Sequence, residues 1–208
     1  MYSPAYAKNF TDEELKDFIR QNGFAILVNT VEGKLWATHI PLILSADNKL
    51  VGHISRGNKQ ARELKLSEEV MVIFSGPHTY ISSSWYDHEN VPTWNYMAVH
   101  VYGKPRIIEG EELLNSLRHL TDKYENNSEH PVSVDKMSKK YVETEMRGIV
   151  GLEISIERME ASFKLSQNRD EKNHTNIISE LEKRGDENSD AVADQMRKYG
   201  VAKKEKPS

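Results

Sequence analysis

The sequence predicts a mainly β fold with peripheral helices, in the α+β class, and three observations carry that prediction. Between residues 24 and 102, short runs rich in β-branched and aromatic residues alternate with turn residues. Helical spacing of apolar residues is confined to the two ends, to a short stretch at 58–66 and to 111–147. β character then returns at 149–165, so late strands are expected to complete a sheet begun early.

Near the amino end, Thr11-Asp12-Glu13-Glu14 reads as a capping box, because the Thr side chain accepts from the third helical amide while Glu14 reaches back. Leu15, Phe18 and Ile19 follow at helical spacing, and Gly23 ends the helix. Strands are expected at 24–29, 35–44, 50–55, 70–75, 79–84 and 95–102. Val31-Glu32-Gly33 is short enough to close a hairpin between the first two. Two longer helices are expected at 111–126 and 134–147, then strands at 149–156 and 160–165. From Asp170 onward eight basic residues stand against nine acidic ones, a balance that describes solvated helices at 175–183 and 189–199, divided by Gly185, and a frayed tail at 203–208. No internal repeat is present. The expected organisation is one β-rich domain over 1–169, with inserted helices, and a C-terminal helical extension over 170–208.

Composition narrows the function. The 208 residues are 38% hydrophobic, 29% charged and 8% aromatic, enough apolar content for a packed core. Cysteine is absent, which excludes disulfides, Cys-ligated zinc, iron–sulfur clusters and thiol nucleophiles and fits a reducing cytoplasm. Apolar runs such as Phe24-Ala25-Ile26-Leu27-Val28 fall far short of the ~20 residues a bilayer crossing needs, and the amino terminus lacks a secretory pattern, so no membrane partner is expected. A net charge of -4 gives no global attraction to nucleic-acid phosphates. The sequence contains no dinucleotide fingerprint, P-loop, Gly-x-Ser-x-Gly or His-Glu-x-x-His. Its eight histidines are scattered without ligand spacing, and no metal centre is expected.

Three segments stand out. Gly52-His53-Ile54-Ser55-Arg56-Gly57-Asn58-Lys59-Gln60 ends a strand with hydroxyl, amide and cationic groups around a glycine, a set that suits a phosphate and equally an ordinary polar turn. Residues 76–86 and 91–96 concentrate aromatics, hydroxyls and two prolines, which suits flanking a planar ring or filling a core or interface. Lys164-Leu165-Ser166-Gln167-Asn168-Arg169 follows a strand with a cation at each end, suiting a second anion or carbonyl contact or a solvated strand end.

In this order, and with Met1-Tyr2-Ser3-Pro4 at the start, these segments resemble the PaiB-like family of FMN-binding negative transcriptional regulators, over nearly the whole chain up to Arg169. The family is similar to the split-barrel superfamily that includes pyridoxamine 5′-phosphate oxidase. The resemblance implies an antiparallel split β-barrel of the FMN-binding type and a homodimer with FMN at the subunit interface. It places the phosphate at Ser55, Arg56, Asn58 and Lys59, and runs Ala37, Thr38 and His39 beside the isoalloxazine. His53, Ser82, Trp94, Asn95, Lys164, Gln167 and Arg169 complete the implied cofactor contacts, with Arg169 or Lys164 near the ring's N1 edge. Ser166-Gln167-Asn168 departs from the oxidase pattern, so pyridoxamine phosphate oxidation is not implied.

Two kinds of output follow. One is a cytoplasmic repressor, although the 189–199 helix offers only Arg197 and Lys198 as basic groups beside Asp190 and Asp194, a poor surface for reading DNA. The alternative is a flavin-dependent oxidoreductase using a nicotinamide or other small reductant, its substrate side lined by His78, Tyr80, Ser83, Trp85 and Tyr96, with no catalytic base identified. A flavin carrier or sensor without turnover is a third reading.

Overall fold

β1 (Phe24–Val31) and β2 (Lys34–Leu44) form the expected hairpin, pairing antiparallel from Phe24↔Pro41 to Val31↔Lys34. The two-residue loop is Glu32-Gly33, at φ 52° and 75°. Both central residues therefore occupy the left-handed region that a type I′ turn requires and that a glutamate accepts at a cost. Glu32→Asn is expected to raise stability by about 0.5 kcal/mol, read as a higher urea midpoint at unchanged slope.

The computed structural model describes residues 1–7 and 10–202; the frayed tail expected at 203–208 lies outside the described residues. The remaining strands are β3 (Lys49–Ser55), β4 (Val70–Ile81), β5 (Thr93–Ile108) and β6 (Ile149–Lys164). The six close into a barrel in the order β1-β2-β3-β6-β5-β4. The helices are α1 (Asp12–Gln21), α2 (Gln60–Glu63), α3 (Gly110–Glu125), α4 (Lys139–Arg147), α5 (Glu171–Arg184) and α6 (Glu187–Tyr199). By contacts the chain divides into two compact units. One comprises Lys16–Phe74 and His100–Met159, the other Met1–Leu15, Ser75–Val99 and Glu160–Ser208.

The Lys16–Phe74/His100–Met159 unit, the barrel unit, buries the alternate residues of its strands: Ala25, Leu27 and Val31, then Ile40 and Leu42, with Leu152 and Ile154 fully enclosed. Asn29 also points inward. It is satisfied because Gln60, fully buried on α2, donates to its Oδ1 at 2.7 Å while its own amide donates to Ser67 at 3.1 Å. The short helix expected at 58–66 is a single turn, Gln60–Glu63, whose Gln60 Nε2 is bonded to β1 while its Oε1 is buried without a partner.

The other unit, the helical unit, is closed by α5 and α6. Asp170 and Asp186 cap their amino ends, accepting from the Asn173 and Ser189 amides at 3.0 and 2.9 Å. Ile177, Leu181, Val192, Ala193 and Met196 form its apolar centre. Phe163 completes it, with its ring 4.2 Å from Phe10 and 5.7 Å from Tyr199. The capping box is present: the Glu14 amide donates to Thr11 Oγ1 at 3.3 Å and the Thr11 amide to Glu14 Oε2 at 2.8 Å.

Several boundaries differ from the sequence reading: β5 continues to Ile108 beyond the expected 102, α5 begins at Glu171 ahead of the expected 175, and three differences change the elements themselves. The strands expected at 70–75 and 79–84 are one strand, β4. Its buried positions change from Val70, Val72 and Phe74 to Thr79 and Ile81, so Gly76-Pro77 marks a change of buried face and not a break. The strands expected at 149–156 and 160–165 likewise merge in β6. The helix expected at 134–147 divides into a 3-10 turn, Val134–Lys136, and α4, because the Ser138 side chain accepts from the Tyr141 amide and starts a new helix. Among the described residues no helix is long and apolar enough to cross a membrane.

Candidate functional site

The barrel unit holds a cavity of about 500 Å³ lined by Thr38, His39, His53, Ile54, Ser55, Asn58, Glu145, Gly148 and Ile149. Its origin lies in how β2 and β3 part. They pair only from Leu42↔Gly52 to Leu44↔Leu50, while β3 stays paired with β6 as far as Ser55↔Ile149. The Leu42 amide donates to the Gly23 carbonyl at 2.8 Å, on the β1 side. Amides alternate along a strand, so residue 41 would donate toward β3. That residue is Pro41, which has no N–H, and the ladder stops there. The gap that follows is the cavity.

Asn58 organises its floor. It donates to Thr38 Oγ1 at 2.8 Å and accepts from the Gln60 amide at 3.0 Å, joining β2 to the start of α2. The Ser55 hydroxyl accepts from the Gly57 amide at 3.3 Å. His53 Nδ1 is buried and has no hydrogen-bond partner in the protein. Burial lowers the pKa of this imidazole, keeping it neutral and able to accept or donate one bond.

The two predicted cations, Arg56 and Lys59, do not line the cavity; they follow Ser55 and Asn58, which do. The Arg56 guanidinium donates from Nε to the Arg147 carbonyl at 2.7 Å and from Nη2 to the Ile149 carbonyl at 2.8 Å, and the Arg56 amide donates to the Gly148 carbonyl at 2.8 Å. Lys59 faces Glu32 at 3.6 Å with both side chains more than half exposed, an ion pair too open to hold it. Ala37 is exposed on β2, where it pairs with Val28.

Six further predicted residues lie in the helical unit. Asn95 is fully buried and spent at both ends: Ser166 donates to its Oδ1 at 3.1 Å and its Nδ2 approaches Met196 Sδ at 3.4 Å. Gln167 is similarly occupied, donating to the Phe163 carbonyl and accepting from the Leu165 amide at 2.7 Å. Both hold the turn at residue 166, whose φ of 61° places a serine in the left-handed region. Ser82 caps the Ser83–Trp85 turn. Trp94 is exposed, with its ring 6.2 Å from His78 and 6.1 Å from Tyr80. Lys164 donates to Thr93 Oγ1, and its pKa is lowered by burial and by the charge of Arg169. Arg169 lies 5.1 Å from the centroid of the Tyr86 ring, whose buried hydroxyl has no partner.

Sequence reasoning did not find Glu145, Gly148 or Ile149. Gly148 is legible as the end of a helix, but no local signal places it beside His53. Strand pairing does that, through His53↔Gly151.

His174, a buried histidine, likewise has its Nε2 without a partner and its pKa lowered by burial. Depressed folded values favour the folded state above the unfolded value of 6.5, and that contribution is lost as pH falls through the folded values. The urea midpoint of the ligand-free protein is expected to fall between about pH 7.5 and about pH 5.5, and less steeply with His53→Gln and His174→Gln together.

The family model described as "Putative FMN-binding domain" matches residues 1–158. Protease synthase and sporulation protein PAI 2 of Bacillus subtilis is 44% identical over 199 residues, covering 94% of this chain and 96% of that protein. An uncharacterized protein of Emericella nidulans is 30% identical over 237 residues, covering 92% and 94%. Among solved structures, the FAD and heme binding protein from Mycobacterium smegmatis aligns with a TM-score of 0.61 at 18% identity, covering 76% of this chain and 73% of that one. The flavocytochrome Anf3 from Azotobacter vinelandii aligns at 0.58 and 16%, covering 76% and 69%. These two likenesses concern the fold alone.

Proposed function

The chain belongs to the FMN-binding, PaiB-like family, and from that premise we propose that it works in the cytoplasm as a homodimer whose FMN-loaded form represses transcription. The observation that carries the cofactor position is the unpartnered His53 Nδ1 in a cavity whose other polar side chains are Thr38, His39, Ser55, Asn58 and, on α4, the exposed Glu145. The cavity fits the phosphate and ribityl chain of FMN. Both are hydroxyl- and anion-rich, and an orphaned neutral imidazole gains a bond when one of them arrives. Arg56 and Lys59 supply positive charge at the phosphate end, and Ala37, Thr38 and His39 lie beside the ring. Lys164 and Arg169 are kept as candidates for the N1 edge, where a cation favours the anionic reduced form. When bound, FMN supplies one- and two-electron redox chemistry, while these residues bind and orient it.

Pairing of protomers is supported by the outer face of the β1–β2 hairpin. Phe24 and Leu35, toward opposite ends of that face, are 64% and 83% exposed, and Trp36, on the other face of β2, is 38% exposed, apolar surface that a lone protomer leaves in water. α6 gives little support to direct DNA reading. Its amino end carries Asp186, Glu187 and Asp190, and Arg197 is already paired with Asp194 and Glu182. Repression through a protein partner or a redox signal needs no basic face.

The visible spectrum before and after adding FMN tests the cofactor, and light scattering tests the dimer. Transcript profiles of a deletion strain, complemented by the wild-type chain or by a cavity variant that cannot hold FMN, test the repressor. Genes raised by deletion and lowered only by wild type support it; a profile unchanged by deletion overturns it. The exposed His78, Tyr80 and Trp94 cluster favours one second reading, an oxidoreductase that stacks a planar reductant. Rapid anaerobic bleaching of the flavin band by reduced nicotinamide would establish that reading.

A further inference from the structure

Apart from the flavin cavity, the barrel unit has a second depression of about 500 Å³ between α3, the 3-10 turn Val134–Lys136 and α4. Its floor is Leu114, Val134, Met137, Val142 and Met146, with Val134 buried and the other four half-buried. On α4, Lys139, Val142, Glu143 and Met146 share the face that lines it, at the i, i+3, i+4, i+7 spacing of one helix stripe.

The rim is charged unevenly. Arg118 is committed, donating to Asp135 at 2.7 Å and to Asn115 at 2.7 Å. Glu111 stands 4.0 Å from Arg118 and is 84% exposed, and Glu143 stands 3.8 Å from a Lys139 that is 90% exposed. Such open pairs hold neither carboxylate. The lining thus has three carboxylates against two cations, and the two loosely held carboxylates are Glu111 and Glu143.

We propose that this groove binds a small aromatic amine, its ring on the Met137 and Met146 thioethers and its ammonium between Glu111 and Glu143. Thioether sulfur is polarisable and favours aromatic contact, and the volume falls within the ~300–1,000 Å³ of small-molecule pockets. A carboxylated analogue meets the wrong charge balance.

Occupancy has a route to the flavin cavity, a step that rests on the reading of that cavity given above. Glu145 and Gly148, on the next face and at the end of α4, line the flavin cavity. Arg56 donates to the carbonyls of Arg147, Gly148 and Ile149, so three hydrogen bonds tie the carboxyl end of α4 to the turn at 55–59. α4 contains no buried residue and is therefore among the elements a ligand shifts most cheaply.

The test uses the full chain with ¹³C-methyl methionine, titrated with 2-phenylethylamine and separately with 3-phenylpropionate. Saturable shifts of the Met137 and Met146 methyls are expected, with the amine bound about tenfold more tightly than the carboxylate, a difference of about 1.4 kcal/mol. Val142→Trp is expected to fill the groove and abolish the shifts. If that variant fails to fold, Glu111→Gln with Glu143→Gln serves in its place and is expected to remove the preference for the amine. Absence of saturation, equal binding of the carboxylate, or indifference to these substitutions overturns the site. With the site occupied, FMN affinity is expected to change at least about threefold, and an unchanged affinity overturns the coupling. Failure of FMN to bind at all would overturn the flavin reading and leave the methyl shifts standing.

Discussion

A chain carrying Arg56→Ala and Lys59→Ala is expected to bind FMN at least about 100-fold more weakly than the wild-type protein, because hydrogen bonds from charged donors contribute about 1.5–3 kcal/mol each. Arg56 is placed to serve both the turn and the ligand: two of its five N–H donors go to the carbonyls of Arg147 and Ile149, and the rest of the guanidinium remains for a phosphate. Lys59 contributes because its pairing with Glu32 is too exposed to compete with a dianion. Titration of flavin fluorescence at two salt concentrations checks the expectation, since wild-type affinity should fall with salt more steeply than that of the double variant. Arg56→Lys keeps the charge but loses the fork that holds both carbonyls, and an intermediate affinity is expected. Undiminished affinity in the double variant would remove the phosphate from this turn.

The sequence carries most strands, the hairpin, the first helix's capping box and the polar turn at 55–59, because each is written in contiguous residues. β1 alternates visibly, Thr11-Asp12-Glu13-Glu14 is a complete cap, and Ser55 to Lys59 needs no distant partner to look unusual. Its weakest point is Gly76-Pro77, a strong local turn signal inside a continuous strand, where tertiary packing overrides the breaker. The cavity itself is only half legible. Pro41 is plain in the sequence, but its effect depends on which neighbour the missing amide would have faced, and the chain order does not say. The roles of Asn95 and Gln167 are hidden for a similar reason. Amide side chains in an ordered motif look alike in sequence whatever they bond to, and those of Asn95 and Gln167 hydrogen-bond at the turn around Ser166.

Gly103→Ala is expected to destabilise the protein by about 3 kcal/mol or more, the upper end for an overpacked position. A Cβ at Gly103 would stand 2.1 Å from the Ser155 carbonyl oxygen and 3.0 Å from Ile154 Cγ2. The first of these is backbone, which cannot rotate aside, so β6 itself must move. β6 carries the enclosed Leu152 and Ile154 and holds β3 in register through Leu50↔Ile154 and His53↔Gly151. Displacement there reaches the cavity lined by His53 and Ser55, and if FMN binds there its affinity is expected to fall along with the urea midpoint. Gly57→Ala is the contrasting case. Its new Cβ meets only Ser55 Oγ at 3.7 Å, and reduced freedom of the unfolded chain should make it neutral or stabilising by up to about 1 kcal/mol. Equal midpoints for the two variants would mean that β5 and β6 do not approach each other as closely as the Gly103 contact requires, and the barrel register on which the cavity depends would have to be redrawn.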